Sequence, residues 1–207
     1  MIFDTHAHYY DDAFDPDRDA LLSSLPERGV ALVVCPGCDL ESSEQSIALA
    51  EQYPFLYAAA GYHPENLEGV TLAHVDQIKA LCAHQKVVAV GEIGLDYYWV
   101  KTPEERAFSR DMFDAQLSLA EELDLPAIVH DRDAHKDCLD MVRAHPNARG
   151  VFHCYSGSIE IIREVMTGIS GKKPAALRTP RCWWTGAGCS PSPATSPSRM
   201  PAAPRRS

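Results

Sequence analysis

The run Asp4-Thr5-His6-Ala7-His8 stands where a first apolar segment ends. Alternation along a strand points residues 4, 6 and 8 to one side, so two imidazoles two positions apart can grip one metal ion. Asp4 is then expected to orient a ring from behind. A lone His-x-His pair is a weak sign, because two ordinary loop histidines look the same. This pair has company. Glu92 follows the apolar run Val87–Val90, His130 ends the run Ala127–His130, and His153 follows Val151 and Phe152. A strand-end carboxylate or histidine is often just a satisfied polar group. Five such groups at the C-terminal ends of successive strands converge on one mouth if the sheet closes. Imidazoles with a carboxylate suit two divalent ions, zinc, manganese or magnesium, at a hydrolytic centre. One carboxylate between two ions about 4 Å apart serves phosphoester cleavage, where the ions polarise a phosphoryl oxygen and activate a water.

The elements that must position these groups follow from periodicity. Apolar, β-branched runs predict strands over 2–6, 30–35, 55–61, 87–90, 127–130 and 150–153. Amphipathic stretches predict helices over 17–27, 42–52, 73–84, 103–123, 134–144 and 158–166. In the fourth of these, Ala107, Phe108, Met112, Gln116, Leu117, Ala120 and Leu123 recur at spacings of three and four, and Thr102, Pro103 and Glu105 supply a cap, a first-turn proline and a capping box. Strands alternating with helices imply an α/β fold with parallel strands and right-handed crossovers. The spacing fits a TIM-type barrel of about eight units, of which six are present, and fits a doubly wound open sheet equally well.

Composition narrows the classes. The 207 residues allow one good core and no second large domain. No apolar run is long enough for a membrane span, and Met1–His6 does not resemble a secretory leader, so a cytoplasmic location is expected. Seven cysteines at irregular spacing suggest scattered thiols in a reducing compartment. Cys35-Pro36-Gly37-Cys38 is a CxxC-like pair without a second pair at zinc-ribbon spacing. Charge is uneven. Residues 1–166 hold all 29 acidic and 12 of the 19 basic side chains, a net −17, whereas residues 167–207 hold seven bases and no acid. Seven of the fifteen prolines also fall in that last stretch, with the low-complexity run 190–198. We therefore expect a domain over 1–166 and a disordered basic tail over 167–207. The tail reads either as a loose attractor of nucleic acid or as the product of a slipped coding frame, and the abrupt loss of every acid favours the frame slip.

The motifs separate the two sheet topologies by resemblance. Phe3–His8, Ala60-Gly61-Tyr62-His63-Pro64-Glu65, Gly91–Tyr98, Pro126–Ala134 and Phe152–Gly157 come in the order seen in the TatD family of metal-dependent deoxyribonucleases, which the chain resembles over about residues 1–166. That resemblance implies a TIM-type barrel, here incomplete. It implies that His6 and His8 hold one metal and that Glu92 bridges to a second held by His130 and His153. It places His63, Asp96 and Arg132 beside the scissile phosphate. The implied substrate is DNA, taken from single-stranded 3′ ends. Two departures stand out. Asp131 replaces a residue that is usually small, and no Asp or Glu follows Glu164, where the family carries a ligating aspartate in a Thr-Asp pair.

Three further readings remain open from the sequence. They are an inactive fragment that retains some metal affinity and self-associates through unclosed barrel edges, a metal-dependent hydrolase of another ester or amide, and a basic-tailed nucleic-acid binder. Net −17 over the first 166 residues disfavours a broad phosphate-tracking surface, so DNA would be held locally. His63 also reads as a turn residue before Pro64, and Arg132 as a surface ion pair. The frame reading has a direct check. The nucleotide sequence around codon 167 is expected to reveal, after a one-base shift, a strand containing a Thr-Asp pair. Neighbouring frames without such a pair overturn it.

Overall fold

The structure, a computed structural model, describes residues 1–158, Glu160 and the backbone of 182–184. The helix expected over 158–166 and the tail over 167–207 lie almost wholly outside these residues. Six strands, β1 (Ile2–Asp4), β2 (Val30–Pro36), β3 (Leu56–Ala60), β4 (Val87–Asp96), β5 (Ala127–Arg132) and β6 (Gly150–Phe152), pair in chain order, each parallel to the next. A short strand β7 (Cys182–Trp184) adds antiparallel to β6. Between the parallel strands run α1 (Arg18–Ser24), α2 (Leu40–Gln52), α3 (Val75–Cys82), α4 (Pro103–Glu122) and α5 (His135–Ala144).

The strand order decides between the two candidate topologies. A doubly wound sheet reverses direction at a switch point, and this order never doubles back. Core packing agrees. Val33, Cys35, Ala58, Ala60, Ile93 and Val129 share one buried cluster with helical residues such as Leu22, Ile78 and Phe113. The alternate strand residues Val34, Ala59, Ala89, Ile128 and Val151 form a second cluster that contains no helical residue. Helices therefore cover one face of the sheet, and the other face is the inside of a curled wall. The fold is the expected TIM-type barrel, incomplete among the described residues. Ile2 and Phe3 on the edge strand β1 are 55% and 40% exposed. No described helix is long and apolar enough to cross a membrane.

Local signals hold where side chains cap the backbone. The Thr102 hydroxyl accepts from the Glu105 amide at 3.2 Å and the Glu105 carboxylate accepts from the Thr102 amide at 3.1 Å, so α4 starts at Pro103 as expected. Helix α2 starts two residues before the periodicity suggests, because the Asp39 carboxylate accepts from the Ser42 amide at 2.8 Å. The largest departure is β4, which continues six residues past Val90 to Asp96. Gly91 and Gly94 both lie where β5 approaches too closely for a side chain. A Cβ at Gly91 would come within 2.7 Å of the Ile128 Cβ, and one at Gly94 within 2.0 Å of the His130 carbonyl oxygen. Register shifts between Val90 and Ile93 where this close approach begins.

These contacts rank two glycines. Gly94 combines a φ of +143° with backbone directly in the path of a Cβ, whereas Gly69 has a φ of +71° and open space around it. Gly69→Ala is expected to lower the unfolding free energy by about 1 kcal/mol, the cost of a positive φ alone, and Gly94→Ala by clearly more, about 3 kcal/mol. Urea unfolding of the full chain measures both. Equal losses would show that β4 does not need the close approach.

Candidate metal centre

Strand β1 ends at Asp4, so His6 and His8 sit in the loop after it and strand alternation does not aim them. The Asp4 carboxylate accepts from the His6 backbone amide at 3.1 Å, which fixes the loop. The His8 ring is oriented by the Pro36 carbonyl at 3.1 Å and the Tyr10 hydroxyl at 2.9 Å, both facing Nδ1. A carbonyl only accepts, so Nδ1 carries the proton and Nε2 presents a lone pair. Tyr10 in turn donates to the Cys38 sulfur at 3.4 Å, which lets its oxygen accept from His8.

The two rings meet a buried carboxylate. Nε2 of His8 lies 2.8 Å from Nε2 of His6, and these atoms are 3.7 and 3.2 Å from Oε2 of Glu92. The other oxygen, Oε1, faces Nδ1 of His130 at 3.2 Å. Glu92 is only 3% exposed, and it thus turns one oxygen to each side of the cleft. Burial pushes its carboxyl up, but hydrogen bonds from His130 and His6 override this and hold it well below the ordinary range. Burial works against a charged His130 ring, and the carboxylates of Glu92 and Asp96 raise it instead. Asp96, fully buried, meets Nε2 of His130 at 2.9 Å. His8 is lowered by burial and by the neighbouring His6.

His63 follows β3 and is held from two directions. Its backbone amide donates to the Cys38 carbonyl at 2.8 Å. Beside it, the fully buried Gln116 of α4 clamps the Tyr62 backbone, accepting from the amide at 2.7 Å and donating to the carbonyl at 3.1 Å. Gln116 therefore interrupts the apolar stripe of α4 for a reason that its helical spacing could not show. Nδ1 of His63 accepts from the Glu65 amide at 3.2 Å, and burial lowers the ring to about 4. The ring is neutral with its proton on Nε2, a donor and not a lone pair.

Three donor groups come together among the described residues: His6 with His8 and Glu92, His63 with Glu92 and His130, and Glu65 with Asp96 and His130. The first fits a cation best. Four-coordinate ligands on bonds of about 2.1 Å lie roughly 3.4 Å apart, and its spacings of 2.8, 3.2 and 3.7 Å bracket that figure. Nδ1 of His6 is buried without a hydrogen-bond partner, so nothing there competes to set that ring's tautomer. His130 now sits between two carboxylates, and a cation at either would displace its proton.

The remaining expected residues fall as follows. His153 belongs to none of the three groups and stacks on His6, with ring centres 3.4 Å apart and planes 12° apart. Cys154 next to it has a φ of +48° and turns the chain at the end of β6. Arg132 lines the cleft, and its guanidinium lies 3.9 Å from the Tyr98 ring centre, a cation–π contact. Asp131 is accommodated because His135, the first residue of α5, meets its carboxylate at 2.7 Å. Cys35 and Cys38 are free thiols, and burial pushes Cys38 up to about 12, so neither a disulfide nor a reactive thiolate arises there. Glu65 and Tyr10 were not legible as site residues. Glu65 ends the segment Ala60–Glu65, and the turn after His63 brings it to Asp96. The cleft has a volume of about 550 Å³.

Comparison with known proteins gives one consistent result. The family model described as TatD related DNase matches residues 3–173. The metal-dependent hydrolase YabD of Bacillus subtilis is 38% identical over 168 residues, which are 80% of this chain and 65% of that protein. A 3′-5′ ssDNA/RNA exonuclease TatD from Musicola paradisiaca is 32% identical over 171 residues, 80% of this chain and 63% of that one. The crystal structure of YjjV, a TatD homologue from Escherichia coli, superposes with a TM-score of 0.68 at 35% identity, covering 78% of this chain and 62% of that one. The chain thus spans somewhat under two thirds of the length of these relatives.

Calorimetric titration with Mn²⁺ or Zn²⁺ tests the donor set. Glu92→Gln keeps the side-chain shape and removes the charge common to two groups, so affinity is expected to fall more than ~100-fold. Tyr10→Phe removes one of the two acceptors that orient His8 and is expected to weaken binding by about tenfold. Unchanged affinity in Glu92→Gln overturns this assignment.

Proposed function

Because this chain belongs to the TatD-related DNase family, we propose that it hydrolyses phosphodiester bonds at the ends of single-stranded DNA or RNA. The observation that carries this reading is Glu92, buried with one oxygen toward His6 and His8 and the other toward His130. His6, His8 and Glu92 would hold one divalent ion, and Glu92 with His130 a second, with His153 lining the same cleft. When bound, such ions polarise a phosphoryl oxygen and acidify a water.

The chain's own groups complete the site. Neutral His63 offers its Nε2–H to a phosphate oxygen. Arg132 offers a guanidinium fork at the cleft mouth, matched to phosphate geometry. Asp96 holds the His130 ring through Nε2. These donors sit around an otherwise acidic surface, so an end of a strand is held locally and a duplex is not tracked. The named activity of the Musicola relative, on ssDNA and RNA, supports this substrate class. Residues 165–207 hold no Asp or Glu to stand for the aspartate that the family resemblance implies, and for the chain as given a slow reaction follows.

Nucleotide release from the 3′ end of single-stranded DNA, with Mg²⁺ or Mn²⁺, tests the reading. The full chain is expected to release nucleotides at a rate lowered about 10–100-fold relative to a version carrying the restored Thr-Asp strand. Release should stop with a chelator and in Glu92→Gln. Cleavage that survives either treatment overturns the role of Glu92. No metal-dependent release from DNA or RNA by either version points to another ester or amide.

A further inference from the structure

A second cleft, of about 530 Å³, opens beside the first and meets it at Glu65. Half-buried Leu67 and Phe108 and buried Val100 line it, with Trp99 beside them. Trp99 is 57% exposed and its neighbour Tyr98 42%. Large aromatic rings left in water on a soluble domain point to a contact surface when their backbone is held in place. Here it is held on both sides. The Asp96 carboxylate accepts from the Trp99 amide at 2.7 Å and the Asp96 carbonyl from the Val100 amide at 3.0 Å. The Arg106 guanidinium donates to the carbonyls of Val100 at 2.9 Å and Tyr97 at 3.1 Å. The same Asp96 carboxylate meets His130 through its other oxygen, so a single side chain ties this turn to the metal centre.

Of the described Lys and Arg side chains only Arg132 lines either cleft, and it lies on the metal side of the turn. On one side Arg132 lies over Tyr98, at 3.9 Å, and lines the metal cleft. On the other, the charged residues lining the second cleft are Glu65, Glu68 and Glu105, with no cation among them. Such a pocket repels phosphate. Its carboxylates can accept from the exocyclic amines of a nucleobase, and its aromatic wall can stack on the base.

We propose that Trp99 and the cleft beside it form a base-stacking subsite, which takes the base of a single-stranded nucleic acid while Arg132 grips the adjoining phosphate at the metal centre. This rests on the reading of that centre as acting on nucleic-acid strands. An apolar peptide side chain would fill the same cleft but would bring no phosphate to Arg132, and it is the competing outcome.

Anisotropy of a labelled single strand with hydrolysis-resistant phosphorothioate links, added to the full chain with Mg²⁺, provides the test. A set of strands, each abasic at one position near the 3′ end, locates the base that the cleft accepts. Loss of that base is expected to weaken binding about tenfold, the size of one stacked base. Trp99→Ala should bind the intact strand about tenfold more weakly and no longer distinguish it from the abasic one. Trp99→Phe, which keeps a ring, should restore most of the difference. Trp99 is exposed, so the substitution leaves the core intact, and the intact-to-abasic ratio is read within each variant. Tight binding with no abasic effect, or an abasic effect that survives Trp99→Ala, overturns the subsite and leaves the function of the metal centre standing. No binding of any strand, together with no release of nucleotides in the assay above, overturns both.

Discussion

A buried carboxylate needs partners, and the arrangement of this molecule's chemistry follows from how Glu92 obtains them. An ionised carboxylate taken out of water costs several kcal/mol unless opposite charge and hydrogen bonds meet it. Here the partners are histidines from elements far apart in sequence: His6 and His8 from the loop after β1, and His130 from β5. They reach one carboxylate because the parallel strands follow each other in chain order, so their C-terminal ends share one rim. Remove the negative charge and three imidazoles are left crowding one another. A divalent cation held by these residues would relieve the same crowding by taking the place of the shared protons.

Two features keep that rim narrow enough. The β4 strand passes β5 without side chains at Gly91 and Gly94, which brings the Glu92 and His130 backbones together. Helix α4 reaches over β3 with Gln116 and fixes the Tyr62 backbone by two hydrogen bonds, so the loop carrying His63 is set by a helix on the outer face. Neither feature touches a reacting atom. Both convert packing on the outside of the curled sheet into placement on its rim, which is how a rigid scaffold limits the freedom of a site.

Asp96 links that rim to its surroundings. One oxygen holds His130 and the other holds the amide of Trp99. The candidate metal centre and the exposed aromatic turn therefore share a fully buried side chain. Arg132 sits between them, over Tyr98. The Arg132 guanidinium falls on the metal-cleft side of the turn, whereas Trp99 lines a cleft whose charged residues are all carboxylates, the division that the proposed base-stacking subsite draws on.

The sequence alone carried much of this. Alternating periodicities showed βα units, Thr102 and Glu105 marked the start of α4, and the spaced motifs around His6, His8, Glu92, His130 and His153 named the residues at the rim and pointed to a barrel. These are local signals, written in residues near one another along the chain. What tertiary structure decided was long-range. Strand order, invisible to periodicity, separated the barrel wall from a doubly wound sheet. Strand β4 ran past its expected end at Val90 because a lone chain does not show the neighbouring backbone that makes Gly91 and Gly94 necessary. The tautomer of His8 depended on the Pro36 carbonyl, 28 residues away. His153 stacks on His6, a contact across 147 positions of the chain that spacing could not show. Residue type and spacing can say which groups are able to bind a metal. Which of them meet, and through which atom, depends on contacts between segments whose separation along the chain carries no information about their distance in space.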